Sequence, residues 1–205
     1  FTYDNYNRAT SSVHSGGADK HTFAYSFVNG MISVLHTNPL GKKTTLLFKN
    51  GKLQSETGQP SLYCPGATYR EITYDANGYE DKATDFADGI TDYDYNAKGQ
   101  LLKKTKAAGK PEARVTLYQW DPAKNRIVRE TMVGDRQTDY VYLANGRLSQ
   151  VKVTNLSAKG VPNQVRTTTY SYTTHPNGML KTSKVDGPLP GDGDAVTQEY
   201  DSPGN

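Results

Sequence analysis

The stretch Tyr93–Leu101, with the sequence YDYNAKGQL, decides the fold of this chain. Its two tyrosines are separated by one residue, so both rings lie on the same face of a β-strand, where side chains alternate. The polar residues that follow can accept hydrogen bonds from the backbone of a turn, and Gly99 can take the positive φ of a tight reversal. Leu101 then starts a returning strand. The stretch therefore predicts a β-hairpin.

The same order of aromatic pair, turn and returning aliphatic residues recurs along the chain. Residues 140–148 (YVYLANGRL) are another copy, and residues 170–180 are a further copy with one residue inserted. Successive copies lie between 21 residues (Phe27 to Phe48) and 30 residues (Tyr142 to Tyr172) apart. A repeat at this spacing indicates a single array over residues 1–205. The second aromatic residues of the copies are Tyr3, Phe27, Phe48, Tyr74, Tyr95, Trp120, Tyr142, Tyr172 and Tyr200.

Each copy predicts one antiparallel hairpin, and the expected fold is all-β with about eight consecutive hairpins. Long helices are not expected, because no window longer than about ten residues shows a 3.6-residue period. Two segments that lack the pattern, residues 55–68 and 186–194, are predicted to be irregular loops. The predicted turn positions are Gly30, Gly51, Gly78, Gly99, Asn125, Gly146, Gly178 and Gly204.

The composition favours a thin layer over a thick core. Leu, Ile, Val and Phe together supply only 36 of the 205 residues, whereas 15 residues are Tyr. A tyrosine ring can be half buried while its hydroxyl reaches water or a polar partner. A single β-layer has no second layer to cover a Leu-rich face, and cross-strand ladders of Tyr and Thr can stabilise it instead. We therefore expect the hairpins to form one curved sheet.

The acids that follow the aromatic residues are predicted to form turns. A glycosidase needs two carboxylates at one fixed separation, and an active site is built once, whereas this acid recurs in copy after copy. Cys64 has no recognisable base placed near it, and the four histidines are scattered. No catalytic residue, metal site or cofactor is expected. The recurrent acids are Asp4, Asp75, Asp94, Asp121 and Asp201.

Charge and hydropathy restrict the partners. The chain has 24 Lys and Arg against 21 Asp and Glu, a net charge of +3 with both signs intermixed. Nucleic-acid binding is not expected, because the charges are intermixed and the densest basic stretch (Lys103, Lys104, Lys106 and Lys110) is interpreted as a solvated strand end and loop. No run of about 18 apolar residues is present, so no transmembrane helix is predicted. The opening FTYD at residues 1–4 is already within a copy, which suggests a section of a longer protein.

Three stretches carry a resemblance to a known family, namely residues 74–78 (YDANG), 93–99 (YDYNAKG) and 200–205 (YDSPGN). They resemble the YD or Rhs repeats of bacterial Rhs proteins, wall-associated proteins, insecticidal toxin-complex cage subunits and animal teneurins. In that family the hairpins coil into a hollow shell, which in bacteria commonly encloses a toxic C-terminal domain. The Asp-Pro-x-Gly core motif of toxin-type shells is missing, because Asp121-Pro122 continues as Ala123-Lys124. Self-cleavage is therefore not carried over.

The resemblance implies a non-catalytic structural section of a secreted or cell-surface shell that encapsulates or presents a toxin domain. Its expected partners are the remaining repeats of the parent shell and the enclosed toxin domain. The alternative is an extracellular adhesion or carbohydrate-binding module, since exposed Tyr, Trp, Asn and Asp also form sugar sites. A sugar site would show exposed rings clustered in one groove. The residues assigned structural roles in the repeat are Tyr3, Phe27, Phe48, Tyr74, Asp75, Gly78, Tyr95, Gly99, Trp120, Asp121, Tyr142, Gly146, Tyr172, Gly178 and Tyr200.

Overall fold

The computed structural model describes residues 1–59 and 69–202, and it is all-β, with seventeen strands in those residues. Its contacts divide the chain into two compact units, Phe1–Arg114 and Val115–Asn205. Within each unit, every strand pairs antiparallel with the next strand along the chain. The fold class is therefore confirmed as consecutive antiparallel hairpins.

The first unit holds ten strands, paired in sequence from β1 to β10. A short 3-10 turn at Ser15–Gly17 lies between β2 and β3. The strands are β1 (Thr2–Tyr3), β2 (Ala9–Ser12), β3 (His21–Val28), β4 (Met31–Thr37), β5 (Lys43–Lys49), β6 (Lys52–Thr57), β7 (Tyr69–Tyr74), β8 (Glu80–Asp85), β9 (Ile90–Tyr95) and β10 (Leu101–Lys106).

The second unit follows the same plan, with β11 starting at the unit boundary and each strand paired with its successor. The pairing shifts register at the end of most hairpins, for example between Val141 and Tyr142. The strands are β11 (Arg114–Trp120), β12 (Ile127–Met132), β13 (Arg136–Tyr142), β14 (Leu148–Asn155), β15 (Val165–Thr174), β16 (Leu180–Asp186) and β17 (Val196–Glu199).

Burial is shallow throughout the described residues. Val34 and Ile72 are the buried apolar side chains, at 8% and 7% exposure, and no described side chain falls below 2%. The neighbouring Ser33 is also buried. Because a single layer covers each strand mainly by its two neighbours, most tyrosines remain half buried. The described residues are held together by many partly covered rings and by strand ladders, and they form no thick core.

The predicted turns at Gly30, Gly51, Gly78, Gly99, Asn125, Gly146 and Gly178 all fall between the two strands of a hairpin. The predicted turn at Gly204 and Cys64 lie outside the described residues. The hairpin of β1 and β2, which opens with Tyr3, completes a set of eight among the described strands.

The predicted loop over residues 55–68 begins too early. Strand β6 extends to Thr57, because Ser55, Glu56 and Thr57 pair with Thr73, Ile72 and Glu71 of β7. The remainder of that loop, from residue 60, lies outside the described residues. Residues 187–195, which include most of the second predicted loop, lie between β16 and β17.

Candidate functional site

Five of the eight described hairpins close through a recurring five-residue turn, which also appears between hairpins. In the turn at residues 96–100, the Asn96 N–H donates to the Gln100 carbonyl at 3.0 Å, and the Gly99 N–H donates to the Asn96 carbonyl at 2.9 Å. Gly99, the fourth residue, has a φ of 76°. The same two hydrogen bonds and a positive φ at the fourth residue define the turns at 4–8, 14–18, 38–42, 75–79, 85–89, 143–147 and 175–179.

A side-chain oxygen at the first turn position usually reinforces this backbone. Asp75 Oδ1 accepts hydrogen bonds from the Asn77 N–H at 2.8 Å and the Tyr79 N–H at 2.9 Å. Partial burial opposes ionisation of Asp75, but these backbone donors outweigh it and lower the pKa of the carboxyl. The first position is filled in the same way by Asp4, Asn38, Asp85 and Asn96.

The aromatic-pair pattern of the sequence does not mark three of these turns, at residues 14–18, 38–42 and 85–89. They connect one hairpin to the next, where no aromatic pair precedes the turn. The sequence does carry a weaker sign of these turns. A polar first residue is followed three positions later by a residue that tolerates positive φ, as in Asn38 with Gly41 and Asp85 with Asp88.

Two recurrent acids depart from the predicted pattern. Asp94 lies within β9 and pairs with Lys103 at 3.0 Å, so Asn96 takes the turn position in that copy. The turn that starts at Asp121 is one residue longer, and the Asp121 N–H donates to the Arg126 carbonyl at 2.9 Å. Asn125, which was expected to replace a glycine, is not among the described residues with positive φ.

The end of a turn contacts the aromatic residue of the next hairpin. The Arg126 guanidinium lies over the Tyr142 ring, 4.2 Å from its centre, and forms an ion pair with Asp121 at 3.0 Å. The Tyr142 hydroxyl donates to the Ile127 carbonyl at 2.9 Å. The backbone N–H of Ala123 is the largest influence that lowers the pKa of Asp121, and Arg126 adds to it. One turn is thereby bound to the following hairpin.

The first two hairpins repeat this arrangement. The Arg8 guanidinium lies 4.2 Å from the centre of the Tyr25 ring, and the Tyr25 hydroxyl donates to the Ala9 carbonyl at 2.9 Å. Arg8 also pairs with Asp4 at 2.7 Å. The contacting ring is Tyr25, whereas Phe27, the aromatic residue assigned to this copy from the sequence, is 74% exposed.

Two further turns contact the next hairpin, one through a tyrosine and the other through an arginine. Tyr79 packs against Tyr95 with ring centres 5.2 Å apart, and Arg147 lies 5.1 Å from the centre of the Tyr172 ring. Burial, followed by the nearby Glu80 and Asp75 carboxylates, raises the pKa of Tyr95. A partly buried ring is thus the common acceptor of these contacts, and the side chain above it varies.

The other assigned residues differ in their surroundings. Phe48, Tyr74 and Trp120 are half buried, whereas Tyr3 is 62% exposed. Gly78, Gly146 and Gly178 have φ values of 91°, 88° and 82°, which confirms the predicted conformation of Gly146 and Gly178.

Tyr200 is half buried just after β17. Its carbonyl accepts a hydrogen bond from His175 Nε2 at 2.9 Å, and its hydroxyl contacts Gln198 Oε1 at 3.0 Å. The first residue of the turn at 175–179 is thereby connected to the segment that directly follows β17.

Within residues 1–59 and 69–202, no group of three or more His, Cys, Asp or Glu side chains is arranged to hold a metal ion. The same residues include no helix of the length and hydropathy needed to cross a membrane. The geometry of the turns and rings offers hydrogen bonds and stacking between hairpins.

This class of protein, an array of consecutive antiparallel hairpins, is similar in fold to sections of much longer chains in solved structures. The crystal structure of TcdB2-TccC3 aligns with 92% of this chain at a TM-score of 0.55 and 15% identity. The crystal structures of TcdB2-TccC3-Cdc42 and TcdB2-TccC3-TEV align with 92% and 93% of the chain, at TM-scores of 0.54 and identities of 15% and 14%. The chain spans 12% of the length of each of those chains. The likeness shows that the fold is shared.

Sequence comparisons add no family assignment. No family model matches the chain, and no curated protein matches it.

Proposed function

We propose that this chain is a non-catalytic section of a β-shell that encloses or presents an effector domain in a longer protein. The observation that carries the proposal is the contact that four turns make with a ring of the next hairpin, as in Arg126 on Tyr142. Such contacts stabilise a hairpin through its neighbours, which is how repeat arrays extend. The fold shared with TcdB2-TccC3 and the resemblance to YD repeats support the same function.

The proposed partners are other repeats of the same shell and an enclosed toxin domain. An array stabilised by neighbours has terminal strands whose backbone groups pair with further repeats. The proposed location is the cell exterior, at the surface or after secretion, where YD-repeat proteins of the resembling family act.

The test is limited proteolysis of the full-length parent protein. The wild-type shell should protect the effector domain from trypsin, and the double variant R126Q/Y142F should release it sooner, because it removes both the stacked guanidinium and the hydroxyl bond. The matched control is Lys181→Gln, an exposed cation of β16, which should leave the protection unchanged. An effector domain that is digested at the same rate with and without the intact repeats would contradict encapsulation.

A second candidate, carbohydrate binding, rests on the exposed rings of the first two hairpins. Phe1, Tyr6 and Phe27 are 80%, 79% and 74% exposed, well above the half-buried rings of the other copies. Calorimetric titration against a panel of glycans distinguishes the candidates. Saturable binding to one glycan that is lost in the variant Y6A/F27A would favour the adhesion function, whereas the shell function predicts no saturable binding.

A further inference from the structure

A cavity of about 310 Å³ opens between β13, β14 and β15, in the second unit. Its lining includes three cationic side chains, Arg136, Lys159 and Arg166. Asp135 is the one carboxylate among the described lining residues, and Val153 contributes apolar surface. Lining groups of this kind suit a ligand that carries negative charge and some apolar surface.

Strand register brings the two arginines to the same face. Arg136 of β13 lies opposite Asn155 of β14, and Arg166 of β15 lies opposite Val153 of β14. Val153 and Asn155 are two residues apart, so they share a face, and directly opposed residues share it as well. The arginines therefore flank β14 on one side of the sheet, on strands about 10 Å apart.

The connection from β14 to β15 is folded around one side chain, which places Lys159 at the cavity. Asn155 Nδ2 donates to the Lys159 carbonyl at 2.8 Å and to the Val161 carbonyl at 2.9 Å. Asn155 Oδ1 accepts a hydrogen bond from the Ser157 N–H at 3.0 Å. Lys159 therefore lies in a loop whose backbone is fixed by hydrogen bonds to the Asn155 side chain.

The charges of the cavity are not neutralised within the described part of the chain. Arg136, Lys159 and Arg166 form no ion pair with any described carboxylate, whereas the nearby Arg129 pairs with Asp139 at 2.5 Å. Three cations against Asp135 leave an excess of positive charge. Guanidinium groups bind carboxylates through two parallel hydrogen bonds, which favours a carboxylate ligand.

We propose that this cavity binds an acidic peptide segment that presents at least two carboxylates. Same-face side chains of an extended peptide lie about 7 Å apart, a separation that Arg136 and Arg166 can both reach. None of the described residues that line the cavity is aromatic, so a sugar ring would find no such side chain on which to stack. The nearby Asp135 disfavours the closely spaced charges of a polyphosphate. The proposal does not depend on the shell function.

The test is fluorescence anisotropy with a labelled hexaglutamate peptide, with hexaglutamine as the uncharged control. The hexaglutamate should bind saturably and the hexaglutamine should not. The variant R136Q/R166Q should weaken binding at least about tenfold, because it removes two charged hydrogen-bonding groups. The variant K98Q/K181Q removes two exposed cations elsewhere and should change the affinity less than about twofold.

Three outcomes would overturn the proposal. They are equal weakening by R136Q/R166Q and K98Q/K181Q, the absence of saturable binding to wild type, and stronger displacement of the peptide by polyphosphate or a heparin fragment than by unlabelled hexaglutamate. Thermal melting of each variant is measured in parallel. A loss of binding in R136Q/R166Q with an unchanged melting temperature assigns the effect to the cavity.

Discussion

The turns at residues 96–100 and 143–147 share a backbone and differ in the side chains that support it. Their first N–H groups donate to the fifth carbonyl at 3.0 and 2.8 Å, and both fourth residues are glycines with positive φ. Asn96 Oδ1 accepts two backbone N–H groups, whereas Leu143 has no acceptor in its side chain. In the second turn, Asn145 Oδ1 at the third position accepts the Arg147 N–H at 3.1 Å.

This difference shows which parts of the turn are exchangeable. The positive φ of the fourth residue is common to both turns, and the side-chain acceptor can come from either of two positions. The surroundings of the glycines also differ. A Cβ on Gly99 would overlap the Tyr79 ring, whereas the nearest atom to a Cβ on Gly146 is Arg126 Nη1 at 3.9 Å.

The largest expected effect is the loss of stability when each glycine is replaced by valine. Gly146→Val should cost about 2 kcal/mol, because a β-branched residue is strained at positive φ. Gly99→Val should cost about 1–3 kcal/mol more, because it adds overlap with Tyr79. Urea denaturation measures both values.

The control for this comparison is a double-mutant cycle with Tyr79→Ala. If the overlap is responsible, Gly99→Val should cost less in the Y79A background than in the wild type, by about the excess over Gly146→Val. Equal losses of stability for Gly99→Val and Gly146→Val in the wild type would show that the nearby Tyr79 ring adds nothing to the cost of Gly99→Val.

The next largest effect is the loss of stability when the side-chain acceptor of either turn, Asn96 or Asn145, is removed. Asn96→Ala should reduce the free energy of unfolding by about 1–2 kcal/mol, because two backbone donors lose their partner. Asn145→Ala removes one acceptor contact and should cost about 0.5–1 kcal/mol. Lys98→Ala, at the exposed third position of the first turn, should stay within about 0.5 kcal/mol of wild type. A cost for Asn145→Ala above that for Asn96→Ala would contradict the assignment.

A smaller effect of opposite sign is expected when the second turn is given the acceptor of the first. Leu143→Asn should stabilise the protein by about 0.5–1 kcal/mol, because the new side-chain oxygen can accept turn N–H groups as Asn96 does, which outweighs the burial lost at the 39% exposed Leu143. The same substitution should offset Asn145→Ala in the double variant L143N/N145A. Thermal melting of the four proteins completes this cycle, and an unchanged melting temperature for Leu143→Asn would count against interchangeable acceptors.

The smallest difference in stability at neutral pH is expected between a charged turn acceptor, Asp75, and a neutral one, Asn96. The pKa of Asp75 is lowered in the folded state, so its stabilising effect is present above the ordinary value of 3.8 and is lost as the pH falls through the lower folded pKa. Asn96 has no such dependence. An NMR titration of the Asn77 and Tyr79 amides should follow this transition.

Asp75→Asn is the matched variant for that titration. It should keep the acceptor and remove the acid dependence of both amides, while the amides of Lys98 and Gln100 should be insensitive to pH in either protein. Persistence of the transition in Asp75→Asn would assign it to another group.

Much of the array could be predicted, because the turns depend on local chemistry. Glycines such as Gly78 and Gly146 mark reversals in the sequence itself, since positive φ restricts the residue type. Two details could not be predicted from the sequence, namely the extra residue in the turn after Asp121 and the position of Asp94 within β9. A shift of one residue changes which face of the sheet a side chain occupies.

The charged cavity was not predictable for the same reason. Arg136 and Arg166 are thirty positions apart, and only the register of β14 with both neighbours brings them to one face. The choice of Tyr25 over Phe27 as the contacting ring likewise depends on where the turn at residues 4–8 ends. Composition and periodicity identify the array, and its cross-strand neighbours require the structure.

Within each unit, the pairing of successive strands also has a kinetic consequence. All strand partners within a unit are close in sequence, so loop-closure entropy is small at every step, and local topology of this kind is associated with rapid folding. A hairpin leaving the ribosome has its preceding neighbour already available as a template. We therefore expect each unit to fold in the order of synthesis, one hairpin after another.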